Sequence, residues 1–212
     1  MKFKKSIILL FVSIFIIGIN YSCEKQEDKS IDKILEGEVS YSPKEVGNYW
    51  IYDIIAMDNN GNYTYLGIDS TYIIGTTEIN ENTYYEYRSA SNSNFTQYLR
   101  DSAAYLVDEK GERFFYHKND ADTIEDNIVI TSGDTISHTY RIIYHLKDDV
   151  KCSAGSFPAI EARNIRQLPL INRSDIGYDF YTIDIGIILR ISMPDNNGNR
   201  VAYSLVRWGK AD

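Results

Sequence analysis

Residues 49–57 read Tyr49-Trp50-Ile51-Tyr52-Asp53-Ile54-Ile55-Ala56-Met57, and the turn-like run Asp58-Asn59-Asn60-Gly61 follows directly. Asp53 interrupts the odd positions, whereas the even positions are all apolar or aromatic: Trp50, Tyr52, Ile54 and Ala56. Because alternate side chains of a β-strand lie on opposite faces, this stretch predicts a strand with one core face and one mixed face. The dipeptide Asn60-Gly61 suits the positive φ angles of a tight hairpin. The strand is therefore expected to turn into an antiparallel neighbour.

The same alternation of strands and turns continues from Val39 to the end of the chain. Tyr, Ile, Thr and Val are abundant, turn signals recur at short spacing, and no window has a sustained helical period with start and stop signals. A polar loop is predicted from His117 to Asp126. Besides the first strand, the predicted strands are 63–66, 70–74, 84–88, 95–100, 104–107, 113–116, 128–130, 136–146, 159–168, 178–183, 186–193 and 201–208.

This pattern predicts an all-β fold of about a dozen antiparallel strands. Consecutive hairpins favour pairing between chain neighbours, and few connections are long enough to cross over. We therefore expect a meandering, strongly curved sheet or an open barrel, and a sandwich is the alternative.

The first 22 residues have the features of a secretory signal peptide. Three lysines, at positions 2, 4 and 5, precede an almost unbroken apolar run from Ile7 to Ile19. That run is shorter than the ~20 residues of a membrane-spanning helix, and Ser22 supplies a small residue at its end. We predict a signal peptide over 1–22, a polar tether over 23–38 and a single β domain over 39–212. An ordinary cleaved signal with a chance cysteine and an uncleaved anchor are the alternatives.

The pair Ser22-Cys23 resembles the cleavage site of bacterial lipoproteins, although Asn20 replaces the aliphatic residue usual three places before the cysteine. This resemblance implies cleavage before Cys23 and lipidation of Cys23, which then anchors the chain in a membrane. The acidic run Cys23–Asp28 is similar to the export signal that follows the cysteine in lipoproteins of the Bacteroidetes. It implies an outer-membrane location, on the periplasmic face or at the cell surface.

Composition argues against nucleic acid as a partner. The formal net charge is −8, and the signal peptide holds three lysines but no acidic residue, so its removal makes the charge more negative. An acidic chain without a basic cluster is a poor match for nucleic acid. With Cys23 lipidated, Cys152 has no partner for an intramolecular disulfide, and it is predicted to be a buried structural cysteine.

No catalytic or metal-binding motif is found. Asp58-Asn59-Asn60-Gly61-Asn62 recurs as Asp195-Asn196-Asn197-Gly198-Asn199, but neither has the glycine position or the later glutamate of a calcium loop, so both are predicted to be hairpin turns. The three histidines lack zinc-ligand spacing, and no serine lies in a nucleophile elbow. We predict a non-catalytic protein without a cofactor. The 18 tyrosines fit half-exposed strands, or alternatively surfaces for sugar or protein contacts.

Four sites resemble the O-glycosylation sequon of Bacteroidetes, in which an Asp precedes the modified hydroxyl residue. The candidate sites are Ser70, Ser102, Thr123 and Thr135. Asp-Ser and Asp-Thr pairs are also good turn residues, so a purely structural role is the alternative.

Two longer stretches, Pro43–Tyr52 and Ala154–Phe157, resemble a group of uncharacterised outer-membrane lipoproteins of Bacteroidetes, as does the hairpin Asp184–Ile187. In them Gly47-Asn48 is expected to launch the Trp50 strand, and Gly155 to allow a tight backbone where another side chain would clash. The layout also resembles the open barrels of the LolA and LolB group, which cradle acyl chains.

The leading hypothesis is a lipid-anchored, non-catalytic envelope protein whose β domain binds a partner or organises the envelope. Its partners would be the membrane, through Cys23, and an unidentified protein, glycan or apolar ligand. The alternative is a carrier of an apolar ligand similar to LolA, LolB or the lipocalins, and an enzyme is the least favoured reading. The carrier hypothesis predicts an apolar cavity inside the curved sheet.

Overall fold

The computed structural model describes residues 41–92, 94–116 and 122–211, apart from the side chain of His145. The predicted signal peptide 1–22, Cys23 and the predicted tether 23–38 lie outside these ranges. The strands are β1 Asn48–Met57, β2 Tyr63–Ile79, β3 Asn82–Ser89, β4 Thr96–Ser102, β5 Tyr105–Asp108, β6 Arg113–Tyr116, β7 Asp122–Thr131, β8 Asp134–Cys152, β9 Gly155–Leu168, β10 Arg173–Thr182, β11 Gly186–Ile191 and β12 Arg200–Lys210.

These strands form one 12-stranded antiparallel sheet, with the order β6-β5-β4-β3-β2-β1-β12-β11-β10-β9-β8-β7. Each strand pairs with its chain neighbours, except that β6 does not pair with β7, and the first strand pairs with the last. The sheet therefore curls into a nearly closed up-and-down barrel. The predicted all-β meander is confirmed, and the sandwich is excluded because there is one continuous sheet. The described residues contain no helix that is long and apolar enough to cross a bilayer.

Two predicted boundaries are wrong. The stretches 63–66 and 70–74 belong to one strand, β2, which bends at register shifts instead of ending. The predicted loop from His117 to Asp126 is too long, because β7 begins at Asp122 and pairs there with Ile143. β7 lies at the edge of the sheet and most of its side chains are exposed. Its polar composition therefore reflects an exposed edge strand, which sequence alone does not separate from a loop.

Side chains bridge the gap between the two edge strands, β6 and β7. The Arg113 backbone N–H donates to Glu125 Oε2 at 3.3 Å, and Arg141 Nη1 of β8 donates to the carbonyl of Phe114 at 3.1 Å. The same nitrogen lies 3.3 Å from the carbonyl of Arg113. We call this region the seam. It brings the sheet edges together without a backbone ladder, because side chains satisfy part of the β6 backbone.

Both repeated pentapeptides form hairpin turns, as predicted. In the first turn Asp58 Oδ1 accepts from the backbone N–H groups of Asn60 and Asn62 at 2.9 and 2.8 Å. The second turn repeats this with Asp195, and the two turns touch at the top of the barrel, where Asn59 Nδ2 donates to the carbonyl of Asn197 at 3.1 Å. These bonds explain why the pKa of Asp58 is held below its usual value, chiefly by the Asn62 side chain.

A third turn of the same geometry joins β5 to β6. There Asp108 Oδ1 accepts from the backbone N–H groups of Lys110 and Glu112 at 2.9 and 2.8 Å. Its two central residues are Glu109 and Lys110, so the resemblance is hidden from a search for the Asn-Asn-Gly pattern. The shared requirement is an aspartate three positions before a glycine, and the asparagines between them are dispensable.

The hairpin between β8 and β9 folds against β12. The Ala154 N–H donates to the carbonyl of Leu205 at 2.6 Å, and the Ser153 N–H donates to Ser204 Oγ at 2.8 Å. Gly155 begins β9 at a φ of +139°, but an added Cβ would lie 3.7 Å from the Phe157 ring, an ordinary contact. The expected clash at this glycine is therefore wrong, and the backbone angle is the reason for it. Cys152 is half-buried at this hairpin, and burial raises its thiol pKa.

Candidate ligand-binding cavity

The barrel interior contains a cavity of about 410 Å³. Its volume lies within the ~300–1,000 Å³ of typical small-molecule sites. The lining residues are Tyr41, Ser42, Trp50, Tyr52, Asp69, Thr71, Tyr87, Ser89, Ser91, Asn92, Phe95, Gln97, Leu99, Leu106, Phe114, Tyr181, Gly186, Ile187, Arg190 and Tyr203. Trp50 and Tyr52 are two of the four even positions of β1, so the predicted inner face of that strand is confirmed at these two positions.

Aromatic side chains make much of the cavity surface. Trp50 stacks on Tyr87 with ring centroids 6.0 Å apart, and its indole Nε1 donates to the carbonyl of Ile185 at 2.5 Å. The Tyr52 hydroxyl donates to the carbonyl of Ile187 at 2.9 Å. These bonds join β1 to β11 and to the turn before it, past the intervening strand β12. They fix the orientation of the rings, so the aromatic surface is preorganised.

A polar wall faces the same space. Apart from Ser42 and Arg190, the polar lining residues other than tyrosine all come from β2, β3, β4 and the turn between β3 and β4: Asp69, Thr71, Ser89, Ser91, Asn92 and Gln97. We call this set the polar wall. Ser91, Asn92 and Phe95 are also exposed to solvent, so the cavity opens beside the β3–β4 turn.

Asp69 is the centre of the polar wall. Its Oδ1 accepts from the backbone N–H groups of Ser70 and Ser91 at 2.7 and 3.2 Å. The Ser89 hydroxyl lies 3.0 and 3.1 Å from the two carboxylate oxygens, and the Asn92 N–H donates to Ser89 Oγ at 3.2 Å. The carboxylate is therefore held in one orientation at the cavity by two strands and the turn between β3 and β4.

The cationic group of the lining, Arg190, is neutralised by a buried carboxylate. Arg190 Nε lies 2.6 Å from Asp179 Oδ1, and Asp179 is 3% exposed. The Asn164 amide donates to Asp179 Oδ2 at 3.3 Å and its carbonyl oxygen accepts from Arg141. The negative charge of Asp179 raises the pKa of the Arg190 guanidinium above its usual value. This network links the cavity to the seam, since Arg141 also holds Phe114.

The start of the described chain forms the floor of the cavity. Tyr41 is fully buried, its ring centroid lies 5.3 Å from that of Phe115, and Phe115 in turn stacks on Tyr181 at 4.2 Å. Lys44 Nζ donates to the carbonyl of Ser42 at 2.8 Å and pairs with Asp101 Oδ1 at 2.7 Å. The segment is thereby attached to the end of β4. Burial raises the pKa of the Tyr41 hydroxyl to about 12.

The predicted modification sites do not meet at the cavity. Cys23 lies outside the described residues. Ser70 is in the middle of β2, Ser102 ends β4, Thr123 is exposed near the start of β7 and Thr135 lies near the start of β8. The structure places Asp69, of the first candidate sequon, in the cavity wall and gives it a role independent of glycosylation. Sequence reasoning missed the polar wall because its serines and asparagine read as ordinary turn residues.

The one histidine whose side chain the structure describes, His138, is not among the residues that line the cavity. His138 on β8 contacts Asp126 of β7 and lies 4.8 Å from the Tyr140 ring. His117 falls outside the described residues. Among the residues that are described, no three His, Cys, Asp or Glu side chains are grouped in a way that could hold a metal ion.

The chain is similar in structure to two solved bacterial proteins. A candidate lipoprotein from Parabacteroides distasonis has a TM-score of 0.40 and 14% sequence identity, covering 81% of this chain and 99% of that protein. A candidate exported protein with a YmcC-like fold from Bacteroides fragilis also has a TM-score of 0.40 and 14% identity, covering 79% of this chain and 98% of that one. No protein-family profile and no curated protein matches the chain.

Proposed function

We propose that this chain is an outer-membrane lipoprotein, anchored through Cys23, whose barrel binds a small ligand in its interior without catalysing a reaction. The observation that carries the binding role is the cavity of about 410 Å³ with its fixed aromatic surface and polar wall. A barrel whose only task was structural would gain from filling this space, because an unfilled interior loses packing contacts. A preformed pocket with convergent polar groups is the usual form of a ligand site.

The export and anchoring parts of the proposal rest on residues 1–23. The basic head, the short apolar run and Cys23 after a small residue support cleavage and lipidation. We expect Cys23→Ala to move the protein from the membrane fraction to the soluble fraction and to abolish incorporation of a labelled fatty acid. Cys152→Ala is the matched control and should change neither. Membrane partitioning that survives Cys23→Ala would refute the lipid anchor.

The polar wall argues against the alternative role of an acyl-chain carrier. An acyl chain in this cavity would cover the Asp69 carboxylate and the neighbouring hydroxyls without offering them hydrogen bonds. The Asp69 carboxylate would keep its bonds to Ser70, Ser89 and Ser91, but its remaining acceptor positions would lose water without a replacement. Because desolvating a charged group in this way is costly, the wall opposes a purely apolar ligand. The ligand favoured by this lining has both apolar and hydrogen-bonding surface.

Filling the cavity tests the binding role. Gln97→Phe places a ring in the polar wall, whereas Thr64→Phe puts the same ring at an exposed position of β2. Native mass spectrometry of protein purified from its own host should show a bound small molecule in the wild type and in Thr64→Phe. The same mass should be missing from Gln97→Phe. A wild-type spectrum identical to that of folded Gln97→Phe would argue that the cavity carries no ligand.

A further inference from the structure

We infer that the ligand of this cavity is a neutral polyhydroxylated molecule, a saccharide of one or two sugar rings, whose hydroxyl groups bind the polar wall around Asp69. This inference rests on the proposed binding role and names the chemical class of the ligand. It follows from the charge, the hydrogen-bonding capacity and the aromatic surface of the lining taken together.

Charge excludes the anionic ligands first. Arg190 is the only Lys or Arg among the described lining residues, and Asp179 neutralises it at 2.6 Å. The nearby Lys44 is paired with Asp101 at the floor. A phosphate, sulfate or carboxylate ligand would therefore meet the negative Asp69 without a free cation to offset its own desolvation.

The hydrogen-bonding capacity of the polar wall selects a ligand rich in hydroxyl groups. Among the described residues, Asp69 Oδ2 has one contact, with Ser89, and a carboxylate oxygen can accept more than one hydrogen bond. Ser91, Asn92 and Gln97 add hydroxyl and amide groups that both donate and accept. Sugar hydroxyls also do both, and a carboxylate that receives an O–H forms a strong, charge-assisted bond.

The aromatic surface beside the wall completes the match, since Trp50 and Tyr52 pair across the β1–β2 ladder with Thr71 and Asp69. Tyr52, Phe114 and Tyr203 line the cavity with partly exposed rings, backed by rings that are at most 7% exposed: Trp50, Tyr87 and Tyr181. A sugar ring has an apolar C–H face and a polar rim, so it can lie on an aromatic ring while its hydroxyls reach the wall. A small organic cation could use the same rings through cation–π attraction. However, hydrogen bonds from Ser70, Ser89 and Ser91 already offset part of the Asp69 charge. A cation without hydroxyl groups would also leave the amide and hydroxyl groups of the polar wall without hydrogen-bond partners on the ligand.

Calorimetric titration of the full mature protein tests this inference. The probes are maltose and N-acetylglucosamine as neutral sugars, glucose 6-phosphate as an anion, choline as a cation and laurate as an apolar chain. We expect at least one neutral sugar to bind with a dissociation constant of about 1 mM or lower. We expect glucose 6-phosphate to bind at least about tenfold more weakly than maltose, which is built from the same sugar without the phosphate.

Two variants locate the contact. Asp69→Asn should weaken sugar binding about tenfold or more, since a hydrogen bond to a charged group is lost. Glu78→Gln makes the same chemical change at an exposed position of the same strand and should leave binding unchanged. If Asp69→Asn does not fold, Ser89→Ala serves instead, because it removes a wall hydroxyl while the Asp69 carboxylate keeps its bonds to Ser70 and Ser91.

The outcomes separate the two proposals. Choline or laurate binding that Gln97→Phe abolishes, with no binding of either sugar, would overturn the saccharide inference and keep the binding role. Sugar binding unaffected by both Asp69→Asn and Gln97→Phe would overturn the saccharide site as placed here. The absence of binding by every probe would overturn the saccharide inference, and the native mass spectra then decide the binding role independently.

Discussion

The hydroxyl of Tyr41 offers a sharp test of how the cavity floor is built. Tyr41 is fully buried, and its hydroxyl has no hydrogen-bond partner among the described residues. A buried polar group without a partner costs about 1–3 kcal/mol, because it loses water without gaining a replacement. Replacing Tyr41 with Phe removes that group and keeps the ring that contacts Phe115 at 5.3 Å between centroids. We therefore expect Tyr41→Phe to raise the free energy of unfolding by about 1 kcal/mol.

Removing the whole ring should have the opposite effect. Tyr41→Ala leaves a void against Phe115 at the floor, and comparable aromatic truncations cost about 3–5 kcal/mol. The net loss should be smaller than the upper value, since the unpaired hydroxyl disappears with the ring. The two substitutions at one position thus separate the contribution of the ring from the cost of the hydroxyl.

Urea unfolding followed by the fluorescence of Trp50 measures both effects. Trp208→Phe in the background leaves Trp50 as the single tryptophan of the two in the chain. The control is Tyr65→Phe, which deletes a hydroxyl from a side chain that is 59% exposed and should change stability by less than about 0.5 kcal/mol. A typical hydrogen bond contributes about 1 kcal/mol to stability. If Tyr41→Phe lowers the free energy of unfolding by that amount or more, the Tyr41 hydroxyl has a partner and the reasoning fails.

Three further predictions concern pH and packing. Burial raises the pKa of Tyr181 from 10.0 to about 12, so the folded state keeps a proton that the unfolded state releases, and the urea midpoint should fall as pH rises from 10 to 12, less steeply in Tyr181→Phe. Burial opposes ionisation of Asp175, but pairing with two arginines at 2.7 and 2.8 Å holds its pKa below the usual 3.8. The stability from this carboxylate is therefore present above pH 3.8 and is lost as the pH falls below that value. Urea titrations of Asp175→Asn should not show this loss. Gly177→Ala should lower the free energy of unfolding by about 1–3 kcal/mol in the same assay, because its Cβ would lie 3.0 Å from the Met193 backbone nitrogen. Gly75→Ala is the control and should cost less, since its Cβ would have nothing within 4 Å. Equal losses of stability would contradict the packing argument.

The strands could be predicted because their signals are local. The alternation in residues 49–57 identifies the inner face of β1, and Trp50 and Tyr52 do line the interior. The turns after Met57 and Met193 were readable from an aspartate and a glycine at fixed spacing. Polar edges were not readable, because the exposed side chains of β7 have the composition of a loop.

The cavity could not be predicted because it depends on which distant strands meet. Asp179 and Arg190 lie on neighbouring strands β10 and β11, and only the register puts their side chains 2.6 Å apart. Asp69 reads as the first residue of a candidate sequon, and the neighbouring serines 20 and more positions later read as a turn. Their convergence on one carboxylate follows from the pairing of Thr71 with Ser89 in the β2–β3 ladder. Sheet register is a property of the whole fold, so no window of sequence contains it.

The seam between β6 and β7 is where we expect this barrel to open locally. A backbone ladder parts only when several amide bonds are given up together, whereas the Arg141 clasp on Phe114 opens with rotations about the bonds of one side chain. Phe114 also lines the cavity. We therefore expect β6 to move away from β7 while the other eleven strand junctions keep their backbone hydrogen bonds. The amide protons of β6 should accordingly exchange with deuterium before those of β1 and β12, and an occupant of the interior should slow them first.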